Sequence, residues 1–431
     1  MSDLQTAPSN AVSPSSPRGE PDVAIVGAGA AGIAAARRLV ELGSSVLILE
    51  ALPRLGGRAH TVELHGLPVD LGCGWLHSAE RNPLAALAEG QGRLLDRSEG
   101  AWRRQLHDID FPPREQRDAW AAYMRLGERL RRDPPASDRA SDAVAADDPW
   151  RPFLDGLSSF VNGVELDQLS VRDFLAYDDA ASEANWRLPG GYGAFIADLA
   201  AGLPVALSTR VTSIAEAPGG VVLETDRGAV RARAAIVTVS SDVLARGDIR
   251  LAPALDDHLH AAAALPLGLD NKILLAMSEP DAVPAESHLL GRLDRAGTGS
   301  YYLRPFGRPL VEVFLGGALA RDLEAAGDAA AVDFALRELG ELLGSEFPAS
   351  LTPLVVTRWG AERTISGSYS HARPGRADAR AVLARPPRPW LCFAGEACSA
   401  QDYSTAHGAW RSGLDAADWI AAGLHGKGRA T

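Results

Sequence analysis

Three glycines near the start of the chain have the spacing that lets backbone approach a pyrophosphate. Gly27, Gly29 and Gly32 lie in the run VGAGAAG, which fits the pattern G-x-G-x-x-G. The first permits a tight turn, the second a close approach to phosphate, and the third close packing of a helix on its strand. Glu50 follows at roughly the 20-residue spacing that is typical of a carboxylate accepting hydrogen bonds from ribose hydroxyls. Because a carboxylate there repels a 2′-phosphate, the pattern predicts dinucleotide binding and argues against NADP.

The residues around these glycines predict the elements that must position them. The apolar run VAIV precedes the turn, an alanine- and leucine-rich segment follows it, and the apolar run VLIL leads to Glu50. This order predicts a strand, a glycine turn, a helix and a second strand over 22–50. The N-terminus of that helix would present unpaired N–H groups and partial positive charge to the phosphates.

The chain uses arginine almost everywhere and has one lysine in its interior sequence. Of 43 Lys and Arg residues only Lys272 and Lys427 are lysine, and Lys427 lies near the C-terminus. Lys272 lies in the apolar run NKILLAM, which predicts a strand. Lysine differs from arginine in size, hydration and the ease with which its pKa shifts. Two interpretations are open for Lys272, a role in chemistry or a strand-end lysine that faces solvent.

Composition and charge exclude several classes of protein. The 431 residues, 46% hydrophobic and 23% charged, are typical of a globular protein of two or three domains. A net charge of −12 without a basic stripe argues against a nucleic-acid partner. Three cysteines without a C-x-x-C pair predict neither a disulfide framework nor a metal site. Residues 1–20 are polar, and no run of 18 apolar residues occurs, so we expect a disordered tail, no membrane span and a cytoplasmic location.

Nine segments, in order, resemble the flavin-dependent amine oxidases, which include monoamine oxidases, polyamine oxidases and flavin-type histone lysine demethylases. The pattern is most similar to bacterial polyamine-oxidase-like enzymes. The resemblance covers residues 21–423 and is weakest at 80–185. The segments that carry it are VGAGAAG, LGGR (55–58), DLGCGWLH (70–77), RLPGGYGAF (187–195), RVTSI (210–214), LDNKILL (269–275), RWG (358–360), SGSYSHARPG (366–375) and FAGEACSAQDYSTAHGAWRSG (393–413).

The resemblance implies an α/β fold with two domains. One is a discontinuous Rossmann-type FAD-binding domain of the glutathione-reductase-like type, and the other is an inserted α+β substrate-binding domain. The expected FAD-binding segments are 21–78, 200–260 and 386–425, and the expected substrate-binding segments are 79–199 and 261–385.

The resemblance also implies FAD that is bound without a covalent link, since Ser368 stands where monoamine oxidases carry the flavin-linked cysteine. By the same resemblance Glu50 would hold the adenosine ribose, Arg58 would neutralise the phosphates and Glu396 would bind the ribityl–phosphate portion. The remaining positions expected to contact the cofactor are Gly27, Gly29, Ala31, Gly32, Ala51, Gly57, Gly74, Trp75, Val211, Gly395, Thr405 and Ala406.

Five residues are expected beside the substrate. Lys272 matches the family lysine that reaches flavin N5 through a water, and Tyr369 and Trp359 match aromatic positions beside the flavin. Thr405 falls where monoamine oxidases have a second cage ring, so the cage is open on one side. His77 resembles a histidine near the amine in several polyamine oxidases. The alternatives are core packing for Tyr369 and Trp359 and a structural role for His77.

The function implied is oxidation of a small-molecule amine. A hydride equivalent passes from the α-carbon of a neutral amine to flavin N5, the imine hydrolyses to an aldehyde or ketone, and O2 reoxidises the flavin to give hydrogen peroxide. The sequence shows no obvious general base, and this reaction does not require one. Two alternatives remain, a flavin desaturase or dehydrogenase that acts on a carbon–carbon bond and a flavin-binding scaffold with little turnover.

Overall fold

The computed structural model describes residues 20–103 and 113–426, so the tail expected at 1–20, apart from Glu20, and Lys427 lie outside the described residues. The helices are α1 (Ala30–Glu41), α2 (Pro83–Gly90), α3 (Pro113–Arg132), α4 (Arg151–Asn162), α5 (Val171–Asp178), α6 (Tyr192–Asp198), α7 (Ser241–Ala245), α8 (Asp256–Ala263), α9 (Gly317–Ala326), α10 (Asp328–Leu343), α11 (Ala379–Ala384) and α12 (Ala406–Gly426). The strands are β1 (Val23–Val26), β2 (Val46–Leu49), β3 (Thr61–Leu64), β4 (Leu67–Asp70), β5 (Trp75–Leu76), β6 (Trp186–Arg187), β7 (Val205–Ala206), β8 (Val211–Ala217), β9 (Gly220–Thr225), β10 (Gly228–Ala232), β11 (Ala234–Val237), β12 (Arg250–Ala252), β13 (Asp270–Met277), β14 (Ser287–Leu290), β15 (Ser300–Leu303), β16 (Leu310–Gly316), β17 (Leu351–Val356) and β18 (Leu391–Phe393).

A five-stranded parallel sheet carries the glycine turn. Its strand order is β18-β11-β1-β2-β7, with Val23 opposite Val46 on one side and Ala234 on the other. Both faces of β1 are buried, since Val23 and Ile25 pack with α1 and α12 while Ala24 and Val26 pack with β8, β9 and α8. Burial on both faces explains why the sequences of the central strands of this sheet are continuous apolar runs.

The strands of the parallel sheet come from distant parts of the chain, so the Rossmann-like unit is discontinuous. β1 and β2 belong to the N-terminal segment, β7 and β11 to the centre and β18 to the C-terminal segment. A four-stranded sheet of order β10-β9-β8-β12 packs beside it. The fold is therefore the mixed α/β type expected, whereas the boundaries of its two domains remain a proposal.

A second five-stranded sheet, antiparallel and of order β14-β15-β16-β13-β17, positions the interior lysine. Side chains alternate along a strand. Ile273 and Leu275 accordingly pack in the core with α9 and α10, while Leu274 packs beside β4. Lys272 shares the face of Leu274, so β13 directs the lysine toward the end of β4.

No helix within the described ranges is long and apolar enough to cross a membrane. The same residues contain no group of three His, Cys, Asp or Glu side chains that could hold a metal ion.

Candidate active site

A cavity of 1540 Å³ lies at the carboxyl ends of β1, β2 and β11 and extends to the antiparallel sheet. It is larger than the roughly 300–1,000 Å³ of pockets for drug-sized ligands, so it has room for a dinucleotide and a substrate together. Of the site residues expected from the sequence, all but Gly32 line this cavity. They are Gly27, Gly29, Ala31, Glu50, Ala51, Gly57, Arg58, Gly74, Trp75, His77, Val211, Lys272, Trp359, Tyr369, Gly395, Glu396, Thr405 and Ala406.

The glycines leave open backbone where phosphates would lie. α1 begins after Gly29 without a side-chain cap or an acidic residue in its first turn, so its N–H groups remain available for an anion. Gly395 has φ +149°, and a Cβ there would meet no protein atom within 4 Å. Gly32 instead packs inside the unit, since its Cβ would lie 1.9 Å from the Gly27 carbonyl oxygen.

Glu50 directly follows β2 and has a buried carboxylate. Its oxygens accept from the backbone N–H groups of Ala28, at 2.6 Å, and Leu52, at 2.7 Å. Burial raises the pKa of Glu50 despite these hydrogen bonds. A carboxylate has about four lone-pair sites, so Glu50 keeps acceptor capacity for ribose hydroxyls.

Arg58 and Glu396 form an ion pair in the cavity wall. Arg58 Nη1 donates to Glu396 Oε1 at 2.8 Å and to the Ser368 carbonyl oxygen at 2.8 Å. Glu396 also accepts from Ser370 Oγ at 2.6 Å. Burial alone would raise the pKa of Glu396, but Arg58 and Arg380 hold it below its usual value. The pair thus places a cation on the cavity while keeping the buried carboxylate ionised.

Thr405 immediately precedes α12, and its hydroxyl is engaged in capping that helix. Thr405 Oγ1 donates to the Asp402 carbonyl oxygen at 2.6 Å and accepts from the Gly408 N–H at 2.9 Å. The backbone of Thr405 and Ala406 lines the cavity at a helix N-terminus, which favours negative charge. The uncapped N-terminus of α1, the exposed glycine backbone and the Arg58 cation together fit the pyrophosphate of FAD.

Lys272 is 8% exposed and lies in the cavity wall. Its Nζ donates to the Asp70 carbonyl oxygen at 2.8 Å and lies 3.9 Å from Glu312 Oε2 and 5.1 Å from the centroid of the Phe314 ring. The Asp70 side chain is itself fixed, since it accepts from the backbone N–H groups of Tyr192 and Gly193 at the start of α6. The ammonium has three donors, so it can also hold a water in the cavity.

The two aromatic residues expected beside the cofactor are held by their polar atoms. Trp359 Nε1 donates to the Leu71 carbonyl oxygen at 3.2 Å. The Tyr369 hydroxyl contacts the Phe160 carbonyl oxygen at 2.5 Å and Asp270 Oδ2 at 2.9 Å. Burial raises the pKa of Asp270 to about 7, against the opposing effects of Tyr369 and Lys272. A protonated Asp270 can donate to Tyr369 while the phenol donates to Phe160.

His77 lines the cavity as a neutral imidazole. Its Nδ1 lies 2.7 Å from Asn185 Oδ1, and the Asn185 amide nitrogen donates to the Glu183 carbonyl oxygen. This orientation makes Nδ1 the donor and leaves Nε2 as an acceptor. Burial lowers the pKa of His77.

The structure adds cavity residues that the sequence reading missed. Asp270 lines the cavity and shares a strand face with Lys272, since the two are two positions apart, so strand periodicity could have predicted its place. Trp102 and Tyr302 also line the cavity, yet they lie in segments without a matching motif. No local pattern marked either ring.

Comparison with known proteins places most of the chain in one family. A family model of flavin containing amine oxidoreductases matches residues 128–421, and a model of an NAD(P)-binding Rossmann-like domain matches residues 25–89. Polyamine oxidase 2 of Arabidopsis thaliana is 32% identical over 92% of this chain and 87% of the relative. Lysine-specific histone demethylase 1 homolog 2 of the same plant is 30% identical over 93% of this chain and 58% of the relative.

Two solved structures share the fold. Cyclohexylamine oxidase from Brevibacterium oxydans IH-35A superposes with a TM-score of 0.78 at 21% identity, covering 94% of this chain and 100% of that chain. A putrescine oxidase redesigned in its cofactor binding superposes with a TM-score of 0.74 at 20% identity, covering 93% of this chain and 98% of that chain.

Proposed function

The chain belongs to the flavin-containing amine oxidoreductases and is an FAD-dependent amine oxidase, and we propose that its substrate is a polyamine and its electron acceptor O2. The proposal rests above all on one cavity that joins the dinucleotide cradle to a wall with exposed carboxylates. Glu128, Asp178 and Glu183 line that cavity and are at least partly exposed, and Arg131, which also lines it, pairs with Asp178. Exposed carboxylates raise the local concentration of cationic substrates. The polyamine oxidases among the relatives support the same substrate class.

The chain's own residues hold the cofactor from both ends of the cavity. Glu50 accepts from the ribose hydroxyls, and Arg58 with the N-terminus of α1 compensates the phosphate charge. Thr405 and Ala406, at the N-terminus of α12, would hold the ring system. FAD bound there would supply the acceptor for a hydride equivalent from the amine α-carbon, and its reoxidation by O2 would give hydrogen peroxide.

The remaining site residues orient the amine and control water. Neutral His77 accepts an amine N–H at Nε2, which favours an uncharged amine with a directed lone pair. The Tyr369 ring restricts where the amine lies, since its hydroxyl is fixed to Phe160 and Asp270. Lys272 Nζ has donor capacity for a water, and such a water would hydrolyse the product imine to the carbonyl product and the released amine.

A substrate panel tests the proposed substrate class. Spermidine, putrescine and cyclohexylamine are compared in air by peroxide release and aldehyde or ketone formation. We expect spermidine to have the lowest KM, and we expect that KM to rise with ionic strength because the attracting carboxylates are exposed. A lower and salt-independent KM for cyclohexylamine would contradict the polyamine assignment. Turnover without peroxide would contradict O2 as the acceptor.

A further inference from the structure

A buried arginine lies directly behind two aromatic rings of the cavity wall. Arg187 is 3% exposed, and its guanidinium carbon lies 4.9 Å from the ring centroid of Trp75 and 5.3 Å from that of Tyr302. Trp75 and Tyr302 line the cavity, whereas Arg187 does not. The guanidinium therefore contacts these rings from the protein side.

Two carboxylates and a phenol fix the guanidinium. Arg187 Nη2 lies 2.5 Å from Asp96 Oδ2 and 2.8 Å from Glu286 Oε2. Arg187 Nη1 donates to the Tyr302 hydroxyl, which in turn donates to Glu286. β6 also pairs Arg187 with Trp75 of β5 through the backbone. The hydroxyl of Tyr302 and the backbone of Trp75 are thus both tied to Arg187.

The backbone around this cluster is strained. Glu286, Arg304 and Phe306 have φ of 55°, 54° and 56°. Left-handed backbone is costly for residues other than glycine and persists only where surrounding contacts enforce it. The Phe306 N–H donates to Glu286, and its ring centroid lies 4.1 Å from the Arg187 guanidinium carbon. The arginine cluster supplies the contacts that hold this turn.

A third ring completes the surface. Trp102 packs edge-on to Trp75 with centroids 4.3 Å apart, and Tyr302 stacks on Trp75 at 6.2 Å and 24°. All three rings line the cavity, and we call them the aromatic wall. Because Arg187 is paired with carboxylates behind the rings, the wall offers the cavity an apolar surface suited to methylene groups.

We propose that Arg187 is a positioning residue that fixes Trp75 and Tyr302 as a rigid subsite for the aliphatic chain of the substrate. The assignment of that chain to an amine rests on the proposed function. Against rings that are held in place, each methylene of the substrate is fully buried on binding. Against rings that are free to move, each methylene is buried only in part. Arg187 thereby sets the selectivity for chain length without touching the reacting atoms.

The test is titration calorimetry of the FAD-loaded enzyme with n-alkyltrimethylammonium ions of increasing chain length. These ions lack a nitrogen lone pair, so they bind without being oxidised. In the wild type each added methylene should tighten binding about fourfold, as its complete burial predicts. Arg187→Lys keeps one charge but loses the planar fork and stacking, so its increase in affinity per added methylene should fall below about twofold.

Arg93→Lys is the matched control. Arg93 lies 5.8 Å from the Phe195 ring centroid and 2.6 Å from Asp198, but neither Arg93 nor Phe195 lines the cavity. This variant should keep the fourfold gain. If Arg187→Lys fails to retain FAD, Glu286→Gln serves instead, because it preserves shape and removes the charge that pairs with Arg187 and accepts from the Tyr302 hydroxyl.

The proposal is overturned if a folded, FAD-loaded Arg187 or Glu286 variant shows the same increase in affinity per methylene as the wild type. It is also overturned if the affinity of the wild type does not depend on chain length. Failure of the proposed function looks different. In that case no amine bleaches the wild-type flavin, while the calorimetric chain-length dependence and its loss in Arg187→Lys persist.

Discussion

At the scale of single residues, the site depends on charges kept in partly apolar surroundings. Lys272 Nζ has an oxygen of Asp70 at 2.8 Å and the Phe314 ring beside it. Burial raises the pKa of the neighbouring Glu312, while Lys272 opposes that rise. A cation so placed is well suited to act on charge that develops in the cavity after the flavin is reduced.

Lys272→Met tests this role. Methionine keeps apolar packing, so the variant should fold and retain FAD, while reoxidation of its reduced flavin by O2 slows far more than substrate binding weakens. Lys272→Arg should not restore the rate fully, since a planar fork cannot replace a compact ammonium. Stopped-flow mixing of reduced enzyme with O2 measures the rate. Wild-type reoxidation in Lys272→Met would make this lysine structural.

Asp270 should make stability depend on pH in a defined direction. Its pKa is raised to about 7 in the folded state by burial, whereas the ordinary value is 3.8. The folded state therefore binds more protons between these values, and stability is lost as pH rises through 7. Asp270→Asn removes this titration. Its free energy of unfolding, relative to that of the wild type, should therefore rise by about 2 kcal/mol between pH 5 and pH 8. Thermal melts of the FAD-loaded proteins at both pH values measure the difference, and an equal difference at both would refute it.

At the scale of elements, function depends on helices that approach the sheet and each other closely. α1 and α12 cover the same face of the parallel sheet, and both begin at the cavity. A Cβ on Gly413 of α12 would lie 2.1 Å from the Ala31 carbonyl oxygen at the start of α1. The contact that packs the helices therefore also positions the phosphate-facing N-terminus.

Two glycine substitutions in α12 should have opposite effects. Gly413→Ala should destabilise the protein by about 1–3 kcal/mol through overpacking and should lower its FAD content. Gly423→Ala is the control, since its Cβ would meet the Pro389 carbonyl oxygen at an ordinary 3.8 Å. Helix propensity alone should stabilise that variant by up to about 1 kcal/mol. Melting temperature and flavin absorbance per protein measure both effects, and equal losses would contradict the packing account.

The sequence predicted the elements whose signals are local. The spacing of Gly27, Gly29 and Gly32 located the βαβ unit, and the run NKILLAM located β13. The sequence could not predict that the Asp70 side chain receives hydrogen bonds from residues 122 and 123 positions away, or that Arg187 meets Asp96 and Glu286. Such contacts are created by tertiary packing and leave no period in the sequence.

At the scale of the whole molecule, the cavity is built from segments that only folding brings together. Its walls include the glycine turn, Val211, Lys272 and the turn before α12. A ligand that contacts all of them binds the folded state and not the unfolded chain, so FAD should stabilise the entire protein. The expected domain boundaries stay a proposal, because segments on both sides of each boundary line the same cavity.

The most direct test of the account is anaerobic addition of spermidine to the purified, FAD-loaded protein while the visible flavin absorption is recorded. We predict that the flavin band bleaches with spermidine, that admission of air restores it, and that Lys272→Met bleaches but recovers more slowly. A flavin band that stays unchanged with spermidine and with every other amine would contradict the assignment of this cavity as an amine-oxidising site.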